Sequence, residues 1–237
     1  MSKPDLKLIG RGLYSLTEAS RLTQVPIRRI KRWVNGYHYV HRGERQWSEP
    51  VIGTEIGTIG GVPVLDFADL QEVRFLSAFR DQRIGWPTIR LAAAKARQVL
   101  GTQHPFSSKR FIADGRTILL EIVDEAGDRQ LLDLLKDQWE LERVVFHSLR
   151  KWLHYEDKDQ PQWWSPLGDD KRVRVHPRRS FGAPIVSPGG IRTRILHDAF
   201  IGQGSVEAVA DWYSVEAESV ADAVEFEEGI RKQRRAA

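Results

Sequence analysis

The stretch from Gly12 to Tyr37 constrains the fold more than any other, because it reads as two short helices separated by a tight turn. Ser15 and Glu18 fit a Ser-x-x-Glu capping box, in which each side chain satisfies an orphan backbone N–H at a helix start. The first helix is expected to end near Thr23. Pro26 suits the first turn of a second helix, where its missing N–H would be unpaired anyway. That helix is expected to reach Asn35, with Gly36 supplying a left-handed cap. Within it, Ile27, Ile30 and Val34 share one stripe at helical spacing, which leaves Arg28, Arg29 and Arg32 on the opposite side. Arginine forks bind phosphates or read guanine edges bidentately, so these outward guanidiniums point to a nucleic acid. The competing reading is a merely solvated helix face.

Charge along the chain is uneven. Residues 1–47 carry ten cations (Lys3, Lys7, Arg11, Arg21, Arg28, Arg29, Lys31, Arg32, Arg42, Arg45) against three anions (Asp5, Glu18, Glu44). Residues 205–228 carry eight anions (Glu207, Asp211, Glu216, Glu218, Asp222, Glu225, Glu227, Glu228) and no cation. Such asymmetry suggests different partners for the two ends. The 237 residues are 41% hydrophobic, enough for one large domain or two modest ones with a real core. No apolar run is long enough to span a membrane, and the first residues lack a signal-peptide core, so a cytoplasmic protein is expected. The absence of cysteine excludes disulfides and thiolate metal sites.

After the second helix, Tyr37 to Leu65 is rich in tyrosine, valine, isoleucine and glycine and reads as short strands and turns. A β-wing there would carry Arg42 and Arg45 to a DNA backbone; a plain connecting hairpin is the alternative. Asp66 is expected to cap a helix through about Arg83, with Phe67, Leu70, Val73 and Leu76 inward. Trp86-Pro87 opens another helix that stops at Gly101. Helix-turn-helix, wing and two further helices beginning near Asp66–Leu70 resemble the MerR-type winged helix over residues 12–100. That resemblance implies a dimer on DNA, the second helix in the major groove and the wing on the backbone. The expected DNA contacts are Arg28, Arg29, Lys31, Arg32, Tyr37, Arg42 and Arg45.

The middle of the chain is less informative. A hairpin is expected around Asp114-Gly115-Arg116, flanked by strands over 110–113 and 117–122, then a helix over 131–149 and a strand over 149–155. Trp163 and Trp164 are either a binding platform or, more simply, one buried ring beside one edge ring. Residues 173–228 then predict two short strands and three short helices, with Ser205 and Ser214 as N-caps. Val206, Val209 and Ala210 would line one helix, and Val220, Ala221 and Val224 the next.

This C-terminal stretch is similar to a small prokaryotic domain family. Its signature is Gly-x-Pro-Ile/Val-Val/Ile, then Gly-Thr-Arg, then a Glu-x-Val-Ala-x-x-Tyr helix. The matching residues are Gly182, Pro184, Ile185, Val186, Thr193, Arg194, Glu207, Val209, Ala210 and Tyr213; Ile191-Arg192 departs from it by separating the glycines from Thr193. Members often pair with PIN-like toxin ribonucleases. Joined to a MerR-like N-terminus, the chain resembles a long VapB-type antitoxin. The resemblance implies operator DNA, a PIN-like toxin ribonuclease and a second copy of the chain as partners. By analogy with VapB-type tails, Arg231, Lys232, Arg234 and Arg235 would enter the carboxylate site of the toxin. A disordered tail is the plainer alternative.

Catalytic readings find little support. His38 and His41 would point to opposite faces of a strand, and His147 and His154 stand isolated. No Gly-x-x-x-x-Gly-Lys loop and no Gly-x-Ser-x-Gly elbow occurs, so no catalytic residue, metal or cofactor is assigned. The expected fold is α+β and mainly helical. Its parts are a MerR-like winged helix-turn-helix over 1–101, a mixed connecting region over 102–170, a small domain of two strands and a three-helix bundle over 171–229, and a basic tail over 230–237. The leading expectation is a DNA-binding autorepressor antitoxin. A ligand-responsive MerR-type regulator, with the tryptophans lining a pocket, and a phosphodiester-cleaving enzyme are its rivals.

Overall fold

A computed structural model describes residues 8–81, 85–109, 111, 152–155 and 159–236. The chain is α+β. Strand β1 (Tyr14–Ser15) leads into α1 (Leu16–Thr23) and α2 (Ile27–Asn35). A hairpin of β2 (Tyr37–His41) and β3 (Glu44–Ser48) follows, then β4 (Thr58–Ile59), β5 (Val62–Leu65), α3 (Phe67–Asp81) and α4 (Trp86–Leu100). Strand β5 returns to pair with β1, Tyr14 opposite Leu65, and this closes the helix pair into a unit.

The hairpin expected around Asp114 and the helix over 131–149 lie outside the described residues, apart from Phe111. Lys109 and Phe111 are already helical, whereas the sequence reading places a strand from 110. The cause is local: the Ser108 hydroxyl oxygen accepts the Phe111 N–H at 3.1 Å. Such a hydroxyl cap starts a helix.

The second half holds a four-stranded antiparallel sheet in the order β6 (Leu153–His154), β7 (Trp163–Trp164), β8 (Val173–Val175) and β9 (Pro184–Val186). Helices α5 (Thr193–Gln203), α6 (Val206–Tyr213) and α7 (Ala217–Ala236) pack beside it around Val186, Leu196, Val209, Val220 and Ala223. Three expectations need correction here. The third helix is not short, because α7 continues through 230–236. Ser205 caps α6, its oxygen accepting from the Ala208 N–H, but Ser214 ends α6 in the left-handed conformation instead of starting α7. Ala221 is exposed and Ala223 is buried, because α7 lies against α5 and α6 as well as β9, which rotates its inner face.

The larger core joins both halves. Leu22 of α1, Val25 of the turn and Ile30 of α2 share one cluster with Leu70 and Leu76 of α3, Val173 and Val175 of β8, and Phe226 and Ile230 of α7. Polar ties reinforce it. The buried Tyr14 hydroxyl donates to the Gly182 carbonyl at 2.9 Å. The Leu13 N–H donates to the Phe181 carbonyl at 3.0 Å.

Candidate nucleic-acid interface

The capping box expected at α1 is present. The Ser15 hydroxyl oxygen accepts the Glu18 N–H at 3.2 Å, and Glu18 accepts the Ser15 N–H at 2.9 Å. Gln24 ends α1 at a φ of 60°, and the Ser20 hydroxyl donates to the Val25 carbonyl at 2.7 Å. The turn then runs into Pro26, the N-cap of α2.

The buried side of α2 is Ile30, Trp33 and Val34, an i, i+3, i+4 face. Ile27 is 42% exposed and does not belong to it, contrary to the sequence reading; Trp33, 3% exposed, takes its place. The reason is steric: Trp33 meets the Trp86 ring edge-on at 5.8 Å. Its carbonyl also receives the Val51 and Ile52 N–H groups at 2.8 and 3.0 Å. Both contacts roll the helix toward residue 33. Arg28, Arg29, Lys31 and Arg32 are all exposed. Among the described residues no carboxylate pairs with any of the four, in contrast to Arg11, Arg21 and Arg172, which are engaged inside the chain. The Arg32 guanidinium lies over the half-buried Tyr37 ring at 5.1 Å, which steers it along the helix surface.

Gly36 does not act as the left-handed cap expected. Its φ of 70° is positive, but its ψ of 180° sends the chain directly into β2. Tyr37 then faces Ser48, and His41 faces Glu44. The two-residue turn Arg42-Gly43 has φ of 51° and 84°, the twist that suits a hairpin. Arg42 therefore stands at the tip, and Arg45 lies on the exposed β3 opposite Val40. The sequence-expected cations thus fall into two groups, one on α2 and one on the hairpin that immediately follows it.

The C-terminal cations lie elsewhere. Arg231 and Lys232 are 54% and 79% exposed at the side chain, near the end of α7. The side chains of Arg234 and Arg235 are outside the described residues. The acidic run is less free than its sequence suggests. Glu216 binds Arg172 at 2.7 Å, and Asp222 and Glu225 bind Lys171 at 3.1 and 2.7 Å. The buried Glu227 accepts from Arg21 at 2.8 Å and from Thr193 at 2.6 Å. These carboxylates tie the residues just before β8, together with α1 and α5, to α7 and the residue before it, which composition could not show.

One cluster escaped sequence reasoning. Asp66, Asp69 and His104 converge in the core. Asp66 caps α3 by accepting the Asp69 N–H at 2.9 Å, and Asp69 accepts the Asp66 N–H at 3.0 Å. The second oxygen of Asp69 meets His104 Nε2 at 2.8 Å, and Arg11 donates to Asp66 at 2.7 Å. Every ligand atom has a protein partner, so the cluster works as internal wiring. The Asp-x-x-Asp spacing was a usable signal for the cap; nothing in sequence pointed to His104.

Burial opposes charge on His104, but the Asp69 hydrogen bond and the carboxylates of Asp69, Glu72 and Asp66 outweigh it and push the imidazole up to about 8. Burial pushes the Glu72 carboxyl up to about 7, against the His104 charge and the Ser107 N–H that it accepts. Raised above its ordinary 6.5, His104 stabilises fully below that pH, and its contribution is lost as pH climbs through 8. Raised above its ordinary 4.5, Glu72 adds a penalty for ionising inside the core that grows up to pH 7. Both act in one direction. Thermal denaturation should therefore show stability falling from pH 5 to pH 9. The His104 part is about 2 kcal/mol, and His104→Gln should flatten the curve above pH 6.5.

A second polar group also carries no catalytic geometry. Ser165 and His154 both reach Asp169 Oδ1, at 2.6 and 2.7 Å, and the serine faces the same imidazole nitrogen at 3.4 Å. A nucleophilic serine needs a ring nitrogen of its own. Trp164 is buried, as the plainer reading of the pair expected. One face of Trp163 stacks on His154 at 3.4 Å, and Arg174 lies 5.1 Å from its centroid.

Residues 12–93 match a family profile described as "Putative DNA-binding HTH domain". The chain carries a helix-turn-helix domain. A curated relative, "Putative antitoxin VapB45" of Mycobacterium tuberculosis (strain ATCC 25618 / H37Rv), is 25% identical over 222 residues, covering 90% of this chain and 92% of the relative. The crystal structure of Rv2018 from Mycobacterium tuberculosis has the same fold, with a TM-score of 0.70 at 24% identity over 89% of this chain and 96% of that one. Among the described residues, no helix is long and apolar enough to cross a membrane.

Proposed function

We propose that this protein is a cytoplasmic antitoxin that binds the operator of its own operon as a homodimer and neutralises a PIN-like ribonuclease, with no catalysis of its own. One observation carries the DNA arm: Arg28, Arg29, Lys31 and Arg32 stand exposed on α2, free of carboxylate partners among the described residues. Phosphate contacts need such uncompensated cations. In this reading the helix-turn-helix and its hairpin, within residues 1–101, form a MerR-like winged module. Helix α2 enters the major groove, Tyr37 orients Arg32, and Arg42 and Arg45 reach the backbone. Residues 102–170 connect it to the C-terminal strands and helices of 171–229, which pair subunits and present the toxin surface. The antitoxin arm draws support from the relative of that name, which aligns over 92% of its own length.

The DNA arm is tested by the double substitution Arg28→Ala, Arg32→Ala. Its affinity for the upstream DNA should fall at least about tenfold, since a bidentate base contact is worth about 1–3 kcal/mol. The slope of log K against log salt should flatten by about 1 for each phosphate that the variant no longer neutralises. Equal gel-shift affinity for the double variant and its parent would remove α2 from the interface. The toxin arm is tested by co-expression with the adjacent reading frame: a metal-dependent ribonuclease should co-purify in an inactive state.

A further inference from the structure

The end of α7 lies beside the helix-turn-helix, not apart from it. Glu227, one turn earlier, is clamped to Arg21 of α1 at 2.8 Å. Ile230 then belongs to the same core as Leu22 and Ile30. It also lines a cavity of about 500 Å3 together with Thr17 and Gln24 of the α1 side and Ile27 and Arg28 of the first turn of α2. Beyond that wall α7 runs from Arg231 to Ala236, about 9 Å of further helix at 1.5 Å per residue. The residue just before Arg231 on α7 is therefore a neighbour of the end of α2 that bears Arg28.

The cations on those turns are held loosely. Arg231 and Arg194 share the exposed carboxylate of Asp198 at 3.7 and 3.6 Å. Lys232 faces Glu228 of its own helix at 3.4 Å. Exposed pairs of this kind contribute little and exchange readily for another anion. In contrast, Glu227, which would have neutralised the same end, is buried and engaged by Arg21 and Thr193.

From this juxtaposition we propose that the C-terminal end of α7 is a third element of the DNA interface, with Arg231 and Lys232 taking phosphates of the backbone that flanks the groove entered by α2. The inference rests on the reading of α2 as the DNA-contacting helix. A helix C-terminus presents carbonyl dipoles that repel phosphate, so the side-chain cations must supply the whole attraction. Contacts of this kind carry no sequence preference and appear as salt dependence.

The test uses the full chain, a fluorescent duplex from the upstream region, and anisotropy from 50 to 300 mM NaCl. Arg231→Ala with Lys232→Ala should lower the slope of log K against log salt by about 1.8, two phosphates at about 0.9 each. Affinity at 150 mM should fall about five- to tenfold. Arg231→Glu with Lys232→Glu should fall further. Arg179→Ala, an exposed cation on the turn after β8, should leave both unchanged. Parent binding with an unchanged slope in the alanine double variant overturns the inference and leaves α2 in place. A double variant that keeps its DNA slope but no longer holds the co-expressed nuclease also overturns it, and assigns these cations to the protein partner. A parent that binds no duplex at any salt removes the α2 reading and this inference with it.

Discussion

Gly36→Ala is expected to detach the hairpin from α2. Glycine alone tolerates a φ of 70° with a ψ of 180°. An added Cβ would also lie 2.5 Å from the Trp47 ring and 2.6 Å from the Ser48 carbonyl oxygen. The first obstacle could rotate, but the second is backbone of the paired strand. Gly36 also donates its N–H to the Arg32 carbonyl at 3.0 Å, so it cannot shift without fraying the end of α2. Relief requires β3 to move, and Arg45 moves with it. Backbone strain and overpacking together suggest a loss of about 3 kcal/mol in denaturant unfolding. DNA affinity should drop at least about tenfold if the hairpin arginines touch phosphate, because a guanidinium moved out of reach neutralises no more charge than a deleted one. An alanine variant that melts with the parent would mean that the hairpin is not seated on Gly36.

Gly182→Ala is expected to separate the helix-turn-helix from the C-terminal half. At a φ of 86° the added Cβ would come within 2.3 Å of the Tyr14 hydroxyl, 2.7 Å of its ring and 3.0 Å of the Gly12 backbone. Tyr14 is buried, and burial keeps its phenol neutral, so it has nowhere polar to go. The β1 backbone beside it already pairs with β5, which holds that side in place. The clash should cost about 3–4 kcal/mol, combining a residue forced to positive φ with an overpacked contact. Tyr14→Phe removes only the hydrogen bond to Gly182 and should cost about 1 kcal/mol. Urea titration of the two variants discriminates between them. Equal midpoints for Gly182→Ala and Tyr14→Phe would mean that the close approach of β1 to the Ser180–Gly182 turn is not a structural joint.

Much of the amino-terminal unit was legible because its signals are local. A capping box needs only four residues, and Ser15 and Glu18 make it whatever packs above them. Pro26 stands one position before the first turn expected for it, as the N-cap of α2 with its carbonyl accepting from the Arg29 and Ile30 N–H groups, and Gly101 closes α4 in the left-handed form, both for short-range reasons. The spacing of arginine along α2 was enough to say that its charges lie outward, since a buried face of Ile30 and Val34 leaves them no other side. The candidate interface was therefore readable in outline. Its angular detail was not: Ile27 and Trp33 compete for one stripe, and Trp86, more than fifty positions away, together with the Val51 and Ile52 N–H groups, decides for Trp33.

What the linear order of residues determined is thus the set of elements near the amino end and the sign of the charge they display, both consequences of hydrogen bonds and spacings spanning a turn or two. What tertiary structure alone decided is which charges remain available. Glu227 meets Arg21 across 206 positions, and Lys171 meets Asp222 across 51. His104 finds Asp69 across 35. Composition counts an acid and a base without knowing whether they face each other. Packing of α7 against α1 pairs the buried Glu227 with Arg21, because an unpaired charge there would be costly, while Arg28, Arg32, Arg231 and Lys232 stay exposed.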